Sequence, residues 1–165
     1  MTKRTIDESE IALRESLGEL SLDYDAMRAI SNIYLAANAV RNRVEAAVLR
    51  EVELTWTGFV VLWVTWVWQE MEASDLAAEV RISKGTLTGV LNTLESRGLI
   101  LKKQRETDGR RVAISLTSNG KKLMKKIFPE FNQEEMKMLS ALSSGEIKGL
   151  ADSLHSVVKN IQSLK

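Results

Sequence analysis

The 165-residue sequence predicts a mainly α-helical chain with one small β-hairpin. Three observations carry that expectation. Apolar residues recur at three-to-four spacing over most of the chain. Between Leu99 and Leu116 the period changes to two, around an Asp-Gly turn. An apolar share of 44% beside 27% charged residues is the composition of one folded unit.

Residues 1–22 are polar, with Ile11, Leu17 and Leu20 as scattered anchors, and read as a partly helical arm. Residues 23–165 read as a single unit. Met27, Ile30, Ile33, Tyr34, Ala37, Val40, Val44 and Val48 form one stripe along a helix over about 23–50. Leu54 to Trp68 carries no charge over 15 residues. A membrane span needs about 20 apolar residues, so Trp56–Trp68 reads as a core helix enclosed by other elements. Asp75, Leu76 and Val80 mark a short third helix.

In RISKGTLTGVLNTLESRGLI, Ser83 is an N-cap, and Ile82 with Leu87 makes a hydrophobic staple. Leu87, Val90, Leu91 and Leu94 face inward, and Gly98 stops the helix. The three-residue turn Arg81–Ser83 between two helices is helix-turn-helix spacing. Beyond it, Val112, Ile114 and Leu116 alternate with Ala113 and Ser115, opposite a strand bearing Lys102, Lys103 and Arg105. Glu106–Gly109 closes this hairpin, which reads as a wing. The winged helix-turn-helix lobe thus spans about 55–117. Leu123, Met124, Ile127, Phe128 and Phe131 give a following helix that Pro129 is expected to bend or end. Ser143 and Glu146 form a capping box opening a last helix, striped by Ile147, Leu150, Ala151, Leu154, Val158 and Ile161.

The net charge of +1 conceals a segregation. Between Arg81 and Lys126 stand 12 basic residues against Glu95, Glu106 and Asp108, a surplus of +9, which leaves −8 for the rest. Such a segment is the footprint of a polyanion binder, or a solvated charged face. With Leu87 inward, the outer face of residues 84–97 is Gly85, Gly89, Asn92 and Ser96, flanked by Thr86, Thr88 and Thr93. Two helical glycines cost about 1 kcal/mol each. Either they pack tightly on a neighbouring helix, or they let the backbone approach the major groove of double-stranded DNA. On the second reading Ser83 and Lys84 open a phosphate-binding helix N-terminus. Thr86 and Thr88 then reach phosphates or thymine methyls, and Asn92 pairs with adenine. Arg105, Arg110 and Arg111 of the hairpin are candidates for phosphates or a narrow minor groove, with Asp108 holding Arg110.

The run ISKGTLTGVLNTLESRGLI, the wing DGRRVAISLT and the following SNGKKLM resemble the multiple antibiotic resistance regulator (MarR) family, over about Asp23 to Leu164. The wing motif D-x-R is Asp108-Gly109-Arg110. The resemblance implies a homodimeric winged-helix repressor, joined through helices over about 23–50 and 118–165 and reading a near-palindromic operator. It also implies a small-molecule pocket where the dimer helices meet the DNA-binding lobe. Many relatives carry Arg where this chain has Gly89, so base readout here falls to Thr88, Asn92 and the wing.

Trp63 and Trp66 are either core mass or a platform for an aromatic ligand, with Tyr34 and Asn38 as polar partners. His155 reads as a flanking polar residue. The absence of Cys and the single His exclude the family's thiol-based and multi-His zinc-sensing modes, and no metal or cofactor is expected. No phosphate loop, nucleophile elbow or acid–base pair points to an enzyme. The polar start MTKRTIDESE and the lack of Cys give a cytoplasmic expectation, without membrane attachment. The alternative is a winged-helix module that binds a protein partner and not DNA, which requires an apolar outer face on residues 84–97.

Overall fold

The computed structural model describes residues 5–18, 20–105 and 108–164, with backbone alone at Ile6, Asp7, Arg105, Asp108 and Arg110. The chain folds as two compact units, Met1–Asn42 and Arg43–Lys165. In the first, the expected arm contains a full helix, α1 (Ile6–Leu17), opened by a capping box between Thr5 and Glu8. Asp23 caps the next helix, α2 (Tyr24–Val44), by accepting from the Ala26 amide at 2.9 Å. The Tyr24 hydroxyl donates to the Leu17 carbonyl at 2.6 Å, and Arg28 lies 3.6 Å from Glu10. A groove of about 770 Å³ runs between α1 and α2, bordered by Ile11, Tyr24, Tyr34 and Leu35.

The second unit begins with the last turn of α2, a π-helical turn (Glu45–Leu49) and a 3₁₀ turn (Arg50–Val52). It continues through α3 (Trp56–Trp68), β1 (Glu70–Glu72), α4 (Ala73–Val80), α5 (Lys84–Ser96), β2 (Ile100–Arg105), β3 (Asp108–Leu116), α6 (Ser118–Met138) and α7 (Ser144–Ser163). The sheet is antiparallel in the order β1-β3-β2. Ile100 faces Leu116 at one end of the hairpin, and Glu72 faces Ala113 on the other edge of β3. Val61, Leu62, Leu76, Ile100, Ile114, Met124 and Ile127 are all buried, and each such side chain contributes about 1.5–3 kcal/mol. Phe59 of α3 stacks on Phe131 of α6 with centroids 4.6 Å apart, and Trp66 of α3 meets Phe128 of α6 edge-on at 5.6 Å, which locks the two helices together.

Glu134 is a buried carboxylate on α6. It accepts from Lys137 Nζ and from Arg43 Nε, both at 2.6 Å. Those two hydrogen bonds, Lys137 first, hold its carboxyl below the ordinary carboxylate value despite burial.

Four expectations need correction. The wing belongs to a three-stranded sheet, because Glu70–Glu72 adds a strand too short to show a period. Ala113 is buried along with Ile114 and Leu116, since β3 is the central strand with α3, α4 and α6 around it. Helix α6 continues nine residues past Pro129. Pro129 and Lys125, whose carbonyl loses its amide partner, both lie on the exposed face, while Ile127 and Phe131 anchor the other side. Finally, α3 is not enclosed on all sides: Trp63, Val67 and Trp68 are exposed toward its C-terminal end.

Candidate nucleic-acid interface

The helix-turn-helix is built as its residues dictate. Arg81 ends α4 in the left-handed region (φ 57°), with its amide shared between the Ala77 and Ala78 carbonyls. Ser83 then starts α5, its hydroxyl accepting from the Thr86 amide at 3.1 Å. Leu87, Leu91 and Leu94 fix the inner face. The opposite face is small and polar. A Cβ at Gly89 would meet nothing within 4 Å, and one at Gly85 only the Ser83 hydroxyl at 3.9 Å. Among the described residues, no packing partner in this unit therefore requires either glycine.

Lys84, Thr86, Thr88 and Asn92 are exposed beside them. The threonine hydroxyls turn back into the helix, Thr88 to the Lys84 carbonyl at 2.9 Å and Thr93 to the Gly89 carbonyl at 3.1 Å. Their methyl groups and remaining oxygen lone pairs are what a bound surface would meet.

The basic surplus is partly spent inside the lobe. Lys102 on β2 donates to Asn92 Oδ1 at 2.7 Å and lies 2.8 Å from Glu95. Arg97 donates to the Val52 and Glu53 carbonyls at 2.7 and 2.6 Å, tying the end of α5 to the turn before α3. Arg111 sits 3.0 Å from Glu72 of β1, although more than half of its side chain is exposed. The roles of Lys102 and Arg97 were not read from the sequence. One signal for Lys102 was available: strand alternation puts it on the same face as buried Ile100, and so toward α5. Glu106 and Thr107 lie outside the described residues, as do the side chains of Arg105, Asp108 and Arg110 and hence the expected Asp108–Arg110 pair.

The ligand candidates fall in both units. Tyr34 and Asn38 are exposed on α2, Tyr34 at the rim of the α1–α2 groove. In the second unit, Trp63 and Trp66 flank Phe128 at 6.4 and 5.6 Å, Trp66 edge-on and partly buried, Trp63 open to solvent. His155 is exposed on α7. Among the described residues, no group of His, Cys, Asp or Glu is placed to hold a metal ion, and no helix is long and apolar enough to cross a membrane.

Comparison with known proteins bears directly on this geometry. The MarR family model matches residues 54–112, which run from the start of α3 into β3. The chain is 32% identical over 141 residues to the uncharacterized HTH-type transcriptional regulator YwaE of Bacillus subtilis strain 168, covering 86% of this chain and 82% of that protein. Its fold is similar to that of Bordetella bronchiseptica BpsR, whose DNA binding is regulated by 6-hydroxynicotinic acid (TM-score 0.74, 21% identity, 79% of this chain and 98% of that one). It is also similar to NadR in complex with 4-hydroxyphenylacetate (TM-score 0.73, 23% identity, 83% and 99%). The exposed polar face of α5, the three-stranded wing sheet and these matches agree: this chain belongs to the MarR family of DNA-binding transcriptional regulators.

Proposed function

We propose that the protein is a homodimeric repressor of a near-palindromic operator, released by a small aromatic effector. The observation that carries the DNA-facing half is the outer side of α5, where Gly85 and Gly89 have, among the described residues, no packing neighbour that needs them. On this reading α5 enters the major groove. Ser83, Lys84 and Thr86 meet the backbone, Gly85 and Gly89 allow close approach, and Thr88 and Asn92 meet base edges. Arg105, Arg110 and Arg111 serve as the wing contacts, with Asp108 holding Arg110.

The dimer is supported by α7, which buries none of its residues within the chain and leaves Leu150, Leu154, Val158 and Ile161 exposed as one stripe. The aromatic effector is supported by the ligands of NadR and BpsR and by the open ring of Trp63 beside Phe128. Trp66 meets the same Phe128 edge-on at 5.6 Å, and Tyr34 and Asn38 are proposed polar contacts on α2. A cytoplasmic location follows from the same role.

The test is a fluorescence-anisotropy titration of the DNA flanking the protein's own gene. Binding tighter than micromolar at moderate salt, lost on competition with the same site but not with random DNA, is expected. Equal competition by both would overturn operator recognition.

A further inference from the structure

Lys102 reaches from the wing strand to the recognition helix and grips one side chain on its outer face. Its ammonium lies 2.7 Å from Asn92 Oδ1 and 2.8 Å from the Glu95 carboxylate. An ammonium has donors only, so the Asn92 atom turned toward it must be the amide oxygen. The amide plane is thereby fixed, and Glu95 holds the ammonium from the other side. Asn92 is exposed, whereas the Lys102 side chain is only 22% exposed. The more accessible partner is therefore the amide, with its NH₂ group as the free-facing function.

We infer that Lys102 sets the hydrogen-bonding sense of Asn92, converting it from a bidentate adenine reader into a donor that selects guanine. The inference rests on the DNA-facing reading of α5. Bidentate pairing with adenine needs the amide oxygen to accept from the adenine N6 amino group. Here that oxygen already accepts from a cation, and a second donor would have to approach beside a positive charge. Guanine presents N7 and O6, both acceptors, to the same spot. The Asn92 NH₂ can donate to them, and the neighbouring ammonium favours their negative edge. Lys102 is thus a positioning residue for specificity, acting through Asn92.

Selection from a random duplex library, followed by sequencing, tests this on the full-length protein. Wild type should enrich guanine at one position of each half-site. Lys102→Met should lower that guanine-over-adenine preference about tenfold, leaving the other positions of the motif unchanged. Lys102→Arg, which keeps the donors and the charge, should retain it, and Asn92→Ala should flatten the position. A motif that Lys102→Met leaves unchanged overturns the inference while sparing DNA recognition. So does adenine at the position that Asn92→Ala flattens. A wild type that enriches no motif overturns the DNA-facing reading itself, and this inference with it.

Discussion

The guanidinium of Arg97 donates to the carbonyl oxygen of Glu53 at 2.6 Å, across 44 residues of sequence. Glu53 adopts a left-handed backbone (φ 52°), which turns the chain between the 3₁₀ turn and α3, and Arg97 takes the Val52 carbonyl as well. The end of the recognition helix is thereby fastened to the segment that leads into the core. Arg97→Ala is expected to lower unfolding stability by about 1 kcal/mol. Arg97→Lys should recover only part of that, because a single ammonium cannot reproduce the planar fork. Denaturant unfolding of the three proteins checks this, and equal midpoints would count against it.

Two glycines should respond to alanine in opposite ways. A Cβ at Gly120, in the first turn of α6, would overlap the Leu99 carbonyl oxygen, which itself accepts from the Thr117 amide at 3.0 Å. Gly120→Ala is expected to cost about 3 kcal/mol or more, since backbone has to move. At Gly89 there is open space, so Gly89→Ala should stabilise the helix by about 0.5–1 kcal/mol while weakening operator binding. Thermal unfolding with operator titration separates the two effects. Unchanged operator affinity in Gly89→Ala would remove close approach as the reason for that glycine.

The Glu134 cluster predicts a pH dependence of known sign. Its carboxyl titrates below the ordinary value of 4.5 in the folded protein, chiefly through the hydrogen bond from Lys137 and then that from Arg43. The ionised form therefore stabilises the fold above the unfolded-state pKa, and the contribution is lost as pH falls through the lower folded value. The stability gap between wild type and Glu134→Gln should be widest near neutrality and close in acid. Chemical unfolding over a pH series reads it directly, and a gap independent of pH would contradict the assignment.

The α7 stripe predicts oligomeric behaviour. Leu154→Glu places a charge in the middle of the exposed apolar row formed with Leu150 and Val158. Sedimentation should show a dimer for wild type and a monomer for the variant, with helix content retained by circular dichroism. A variant that remains dimeric places the subunit contact elsewhere.

The aromatic effector is tested through Trp63. Calorimetry and tryptophan fluorescence against a panel of aromatic acids and phenols should identify a binder that also releases operator DNA. Trp63→Leu should weaken that binder about threefold to tenfold, the range expected for a lost stacking contact. Unchanged fluorescence and DNA affinity across the panel would remove the effector from the proposal.

What the sequence discloses and what it withholds divide along physical lines. Ser83, Leu87, Leu91, Leu94 and Gly98 act within a few residues of one another, so the bounds and inner face of α5 are readable from spacing alone. Ser143 and Glu146 are legible for the same reason. Arg97 to Glu53, Lys102 to Asn92 and Arg111 to Glu72 join residues from different elements, and no local pattern announces them. Pro129 misleads because its penalty depends on which side of the helix it occupies, and here that side faces water. The burial of Ala113 follows from the middle position of β3, which only the three-residue strand at Glu70 reveals. On the site itself, the small polar face of α5 was readable, while the commitment of Asn92 to a lysine was not.

The internal engagement of Arg97 and Lys102 has a thermodynamic consequence. A cation already neutralised by a carboxylate, or committed to backbone carbonyls, does not displace condensed counterions from a phosphate backbone. The complex with DNA should therefore release fewer ions than 12 basic residues per subunit suggest, and its affinity should fall less steeply as salt is raised. In a crowded, fluctuating ionic environment, such a regulator would hold its occupancy more evenly than its raw charge implies.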